Sequence, residues 1–272
     1  MNFCPMYKNP KVFSGFNELV KALGGREMTE EEFRDSALRN QRTGNDFLAM
    51  ESAYRLWDLN GGNPLDQTKD GKPSVLFEQL YELCGDRQKA IYAKSSMYSN
   101  KFRSWFGDWL NNPSEASKVV DDNGEPMIVW HHTNDEDLNE FRSDFPNYFS
   151  TIKNGTKSAI FFTTNKEKIL DRKASIPVFL NLRTPFTYHG TKESMHEKGT
   201  DYTSLVNAAE EVGGAIFTGL DDNRLLNQTV IVAYDPNNIK SVLKNSGEYS
   251  KKNNNIYKMF NPSVQSMLMN EM

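Results

Sequence analysis

His131 and His132 close an apolar run, Met127-Ile128-Val129-Trp130, and Thr133 follows them directly. In neutral imidazole one ring nitrogen donates a hydrogen bond while the other accepts, so such a side chain can hold a polar ligand group in a fixed orientation. The apolar run reads as a strand, which places His131 at a strand end on a rigid scaffold. A histidine in that position is more often structural than functional, and spacing alone leaves both roles open. Asp122-Asn123-Gly124 lies between Val119-Val120 and the run, a hairpin signal in which Asn-Gly supplies positive backbone angles. The four histidines His131, His132, His189 and His196 show no metal-ligand spacing with cysteine or carboxylates. No glycine-rich phosphate loop, nucleophile elbow or Cys–His pairing stands out.

Two kinds of element surround this candidate. Residues from about 10 to 117 read as helices joined by short loops. Phe16, Leu19, Val20 and Leu23 recur at helical spacing and stop at Gly24-Gly25. Thr29 and Glu32 fit a capping box. Phe47, Met50, Tyr54 and Trp57 line the next helix, which Gly61-Gly62 ends. Ser74 caps a helix carrying Leu76, Leu80 and Leu83, and Asp86 caps another running to about Tyr98. Phe102, Trp105, Phe106 and Trp109 form an aromatic stripe suited to core packing. From Ser117 the character changes to short β-rich runs at MIVW, AIFFTT, PVFLNL, GAIFTGL and TVIVAY. One helix is expected from near Lys166 and a longer one from about Tyr202 to Val212. The pattern predicts an α+β chain: an N-terminal helical module over 1–117, a domain of packed β-sheets over 118–245, and a polar tail over 246–272.

The composition narrows the function classes. With 272 residues, 38% hydrophobic and 25% charged, the chain is a globular protein with room for a sizeable core. A net charge of -4 and a pI near 5.7 disfavour a nuclease or general nucleic-acid binder, which needs a basic face. Cys4 and Cys84 alone make neither a disulfide framework nor a zinc site, so a reducing compartment is expected. No apolar run approaches membrane-spanning length, and MNFCPMYKNP lacks a signal-peptide core. The expectation is a soluble protein with no membrane partner and no metal.

The stretches KFRSWFGDW and SKVVDDNGEPMIVWHHT resemble ADP-ribosyltransferase-like modules in polyvalent proteins of bacteriophages and mobile elements. These belong to the branch whose NAD pocket is marked by His, Tyr and Glu. The front half is similar to the same proteins at FCPMYKNP, AYRLWDLNGGNPLD and PSVLFEQL, so the resemblance covers about Cys4 to Ser241. It implies an ADP-ribosyltransferase-like fold, NAD as substrate, and a host protein or nucleic acid as acceptor. It further implies residence in a phage virion or the host cytoplasm, with the helical module meeting other virion proteins.

The resemblance also implies site residues. His131 matches the family histidine that bonds the nicotinamide-side ribose, and Thr133 the hydroxyl position that bonds the other ribose. His132 stands where the family has Gly. Ala159 to Thr164 is similar to the strand whose Tyr stacks on nicotinamide, which makes Phe161 the stacking ring. Arg172 occupies the place of a second stacking aromatic and can stack by its guanidinium plane or contact a phosphate; Tyr148 or Phe149 is an alternative aromatic. Asn227 to Ser241 resembles the terminal strand that carries the catalytic glutamate. No Glu occurs in 220–240. Gln228 takes the catalytic position, with Thr229 as its rival, and Asp221 and Asp222 precede the strand. The runner-up reading is a degenerate transferase fold kept as a virion or cargo interaction protein.

Overall fold

The computed structural model describes residues 10–27, 29, 45–142, 159–167, 172–190, 202–222, 225–243 and 256. The capping box at Thr29, the helix after Asn165, Tyr148, Phe149, His196 and the tail fall outside these residues wholly or in part. The chain forms two compact units, one reaching Arg103 and including Asp121–Glu125, the other holding Ser104–Val120 and Pro126–Phe260.

In the first unit, helices α1 (Pro10–Ala22), α2 (Asn45–Leu59), α3 (Val75–Cys84) and α4 (Arg87–Ser96) precede α5 (Asn100–Phe106), in which the unit boundary falls. The α1 stripe is buried as its spacing requires, with Phe16 edge-on to Tyr54 and Trp57. After α2 the chain reverses at Gly61, where a Cβ would meet the Lys69 carbonyl at 2.4 Å. Ser74 and Asp86 cap α3 and α4 as expected, accepting from the Phe77 and Lys89 amides. Helix α4 stops at Ser96, short of Tyr98.

Ser74 does more than cap. Its hydroxyl donates to Glu125 Oε2 at 2.5 Å and accepts from Lys94 Nζ at 2.7 Å. Lys94 pairs with Glu125 Oε1 at 2.7 Å and also bonds the Gln67 carbonyl. Both charges are out of solvent, at 0% and 3% side-chain exposure. Burial lowers the Lys94 pKa, and the neighbouring Glu125 carboxylate opposes that shift. The expected hairpin around Asn123-Gly124 is a turn rather than a two-stranded ribbon. Its amide bonds close Asp121 on Glu125 and Gly124 on Asp121, and only a single bridge, Val120 to Pro126, accompanies it.

The second unit is built on a seven-stranded sheet in the order β4-β5-β6-β2-β1-β3-β7. Its strands are β1 (Val129–Thr133), β2 (Ile160–Thr163), β3 (Ala174–Leu180), β4 (Phe186–His189), β5 (Gly214–Asp222), β6 (Leu225–Ala233) and β7 (Ile239–Ser241). Among the described residues only β4 and β5 pair in parallel. Helices with one mixed sheet make the protein α+β, and the β-rich runs form one sheet rather than separate packed sheets. One face carries Val129, Ile160, Phe162, Val178 and Ile231. The opposite face carries Val230, Val232 and Phe217 beneath α6 (Tyr202–Val212) through Leu205, Val206 and Ala209. Tyr234 donates its hydroxyl proton to the Val206 carbonyl and fixes that helix.

Ahead of the sheet, Gly107 ends α5 at a φ of 102°, and a Cβ there would meet Ala116 Cα at 2.3 Å. Ser117 then donates to the Leu180 carbonyl and accepts from the Leu182 amide, tying the approach to β1 to the end of β3. Trp105 is buried and donates from Nε1 to the Asn237 carbonyl, which agrees with a packing role for the aromatic stripe.

Candidate functional site

Strand β1 is central in the sheet, paired antiparallel with β2 and with β3. Its pleat sends Val129, His131 and Thr133 to one face and Trp130 and His132 to the other. The two adjacent histidines therefore do different things.

His131 Nδ1 lies 2.9 Å from the Phe161 carbonyl oxygen. A carbonyl only accepts, so Nδ1 carries the proton and Nε2 is an acceptor that makes no hydrogen bond among the described residues. The ring stands edge-on to Phe141 at 4.8 Å and against Phe162 at 5.6 Å. Burial pushes its pKa down from 6.5 to about 4, opposed by the Phe161 carbonyl and reinforced by His132 and Arg172. At neutral pH the ring is uncharged, tautomer-fixed and presents one lone pair.

His132 Nε2 lies 3.2 Å from the Asn165 carbonyl and 3.2 Å from Thr163 Oγ1, while Nδ1 lies 2.9 Å from Ser175 Oγ. The Asn165 carbonyl fixes the proton on Nε2, so Nδ1 accepts the hydroxyl proton of Ser175. Burial lowers the pKa of this ring too, with Arg172 adding and the Asn165 bond opposing.

The other expected residues are placed as follows. Thr133 ends β1 and its Oγ accepts from the Asp135 amide at 3.1 Å, which leaves its hydroxyl proton as a donor. Arg172 is exposed at the same end of the β1–β3 pair, where the next residue, Lys173, donates its amide to the Thr133 carbonyl. Phe161 is half-buried and packs with the α6-side cluster. Its ring is on the face opposite to His131, while Phe162 takes the place beside that histidine. Gln228 is in β6 and its backbone pairs with Leu220; its side chain lies outside the described residues, as do those of Asp221 and Asp222. The structure thus groups His131, Thr133 and Arg172 at one strand end, and puts Phe161 with His132, Thr163 and Ser175 on the other face.

Ser175 was not legible as a site residue because it precedes the apolar run at Pro177. Only the pairing of His132 with Ser175 across β1 and β3 brings it to the imidazole. The shallow depression lined by Asn181, Arg183, Thr184, Val212 and Asn238 lies at the far end of β3 and takes in none of the expected residues.

No cluster among the described residues could hold a metal ion, and no described helix is long and apolar enough to cross a membrane. For NAD, the donor set fits in part. An unpartnered neutral acceptor at a strand end suits a ribose hydroxyl, and the cationic Arg172 suits a diphosphate. No glutamate is present in 220–240.

Residues 121–249 match the family model described as ADP-ribosyltransferase in polyvalent proteins. No curated protein and no solved structure matches the chain. Residues 121–249 are an ADP-ribosyltransferase-like module, similar to those of polyvalent proteins.

Proposed function

We propose that this module binds NAD and transfers its ADP-ribose group to a macromolecular acceptor. The observation that carries the reading is His131 itself: neutral, anchored through Nδ1, and offering Nε2 to a hydroxyl at the end of β1. Thr133 supplies a second hydroxyl contact and Arg172 the positive potential for the diphosphate. Phe161, the ring expected to stack, lies on the opposite face of the sheet from His131 and is no part of this contact set. We assign the chain to the branch marked by His, Tyr and Glu, with Gln228 in the glutamate's position. The acceptor is a host protein or nucleic acid, met in the host cytoplasm after delivery with a phage particle. The helical region 1–117 is the part we assign to docking on other virion proteins.

A second reading is favoured by two observations. The His131 and Phe161 rings lie on opposite faces of the sheet, and 220–240 contains no glutamate. On that reading the fold is a degenerate transferase retained as an interaction surface. Gln228 can orient a hydroxyl but cannot place a negative charge beside the positive centre that develops as nicotinamide leaves. A single charge-stabilising group is worth on the order of a hundred- to a thousandfold in rate. The test is nicotinamide release from NAD by the native chain and by Gln228→Glu. Slow release by the native chain and a gain of that order in Gln228→Glu is the expected result. Release by neither would overturn the transferase reading in favour of the interaction protein.

A further inference from the structure

The depression at the far end of β3 holds a buried donor that no other group engages. The Asn181 side chain lines it at 4% exposure. Its Oδ1 accepts from Arg183 Nε at 3.3 Å, and only an oxygen can meet that N–H, so the assignment of the carboxamide is fixed. Nδ2 makes no hydrogen bond among the described residues, yet it is not sealed off from solvent. A nearly buried donor left unmade is costly, and native proteins keep few of them unless a ligand or an ordered water meets the group.

Arg183 brings charge to the same place. Its Nη2 donates to the Ser104 and Trp105 carbonyls at 3.0 Å each, which positions the guanidinium without neutralising it. No carboxylate pairs with it among the described residues, and none lines the depression. The Arg183 and Thr184 backbone amides also make no hydrogen bond among the described residues. Leu182 and Val212, the latter 50% exposed at the end of α6, give the wall its apolar part. A helix C-terminus carries roughly half a negative charge, less than the full charge of the guanidinium, so the Arg183 side stays positive. The space is about 190 Å³. That is below the roughly 300–1,000 Å³ of sites for drug-sized molecules and above the about 150 Å³ that admits a benzene ring.

We propose that this depression binds a small organic carboxylate, with its oxygens on Asn181 Nδ2 and Arg183 and its apolar body on Leu182 and Val212. The site is independent of NAD binding. Amide and guanidinium donors in one place match the two oxygens of a carboxylate, and charge-assisted bonds of this kind are about twice as strong as neutral ones.

The test titrates sodium benzoate into the full nitrogen-labelled chain and follows side-chain amide and guanidinium resonances by NMR. Benzamide is the uncharged counterpart and inorganic phosphate the alternative oxyanion. Saturable shifts of Asn181 Nδ2 and Arg183 Nε at about millimolar benzoate are expected, the affinity usual for so few atoms. Benzamide should bind at least about tenfold more weakly, because a hydrogen bond to a charged group is worth about that factor or more. Arg183→Gln should weaken benzoate by the same factor. Arg183 also ties down two carbonyls, so Thr184→Glu is the second variant: it changes an exposed side chain and places a carboxylate next to Arg183 in the chain. It should weaken benzoate by a similar factor with an unchanged melting temperature. An Asn181 resonance that benzoate does not move would overturn the proposal. So would equal binding of benzamide, binding of phosphate alone, or benzoate binding unaltered in both variants.

Discussion

His131 owes its neutrality to burial against Phe141 and Phe162, and its tautomer to one carbonyl. That combination has a consequence for stability. The folded pKa is near 4, below the ordinary 6.5, so between those values the unfolded chain binds more protons than the folded one. Stability contributed at this residue is therefore present above about pH 6.5 and is lost as pH falls toward about 4. His131→Gln can keep the bond to Phe161 but does not titrate. Melting curves should show the native chain losing stability more steeply than His131→Gln across this window; parallel curves would show that the folded ring charges freely. At this scale the sequence was informative about His131 and Thr133, because strand alternation and a strand end are both local properties. It was uninformative about which face Phe161 occupies. Successive side chains of one strand alternate, so Phe161 and Phe162 exchange roles with a one-residue shift in pairing. Register is fixed by β1 and β6 together, through Trp130 opposite Thr163 and Phe161 opposite Val232, and not by AIFFTT itself.

At the scale of elements, the caps and the long helices were readable because their signals are local. Ser74, Asp86 and the stripe Phe16 to Leu23 each act within a few residues. Strands β4 and β7 went unrecognised. Phe186–His189 alternates weakly and Ile239–Ser241 is three residues long, so both are strands only through their neighbours β5 and β3. The turn before β1 was recognised as a turn, but its purpose was not. Glu125 sits beside Lys94, thirty-one positions back, and no spacing rule connects them. Removing one partner of a buried ion pair leaves the other charge unpaired out of water and costs roughly 3–5 kcal/mol, whereas replacing both by apolar residues of similar size is often neutral. Glu125→Ala should therefore destabilise the helical unit by about that amount in urea unfolding followed by circular dichroism. Lys94→Met combined with Glu125→Leu should be less harmful than Glu125→Ala alone. Equal losses in the two variants would show that the pair is not the source of the stability.

For the whole molecule, the sheet and the family match agree. Residues 121–249 take in all seven strands and carry the ADP-ribosyltransferase-like module. The α+β class followed from the change of character near Ser117. The single sheet did not, because strand order depends on pairings between runs far apart in sequence, such as β2 with β6. The central claim is that this module holds NAD through His131. The most direct measurement is a calorimetric titration of NAD into the native chain and into His131→Ala. Saturable binding that the substitution abolishes is the expected result. No heat of binding from the native chain up to millimolar NAD, or equal binding by both chains, would contradict it.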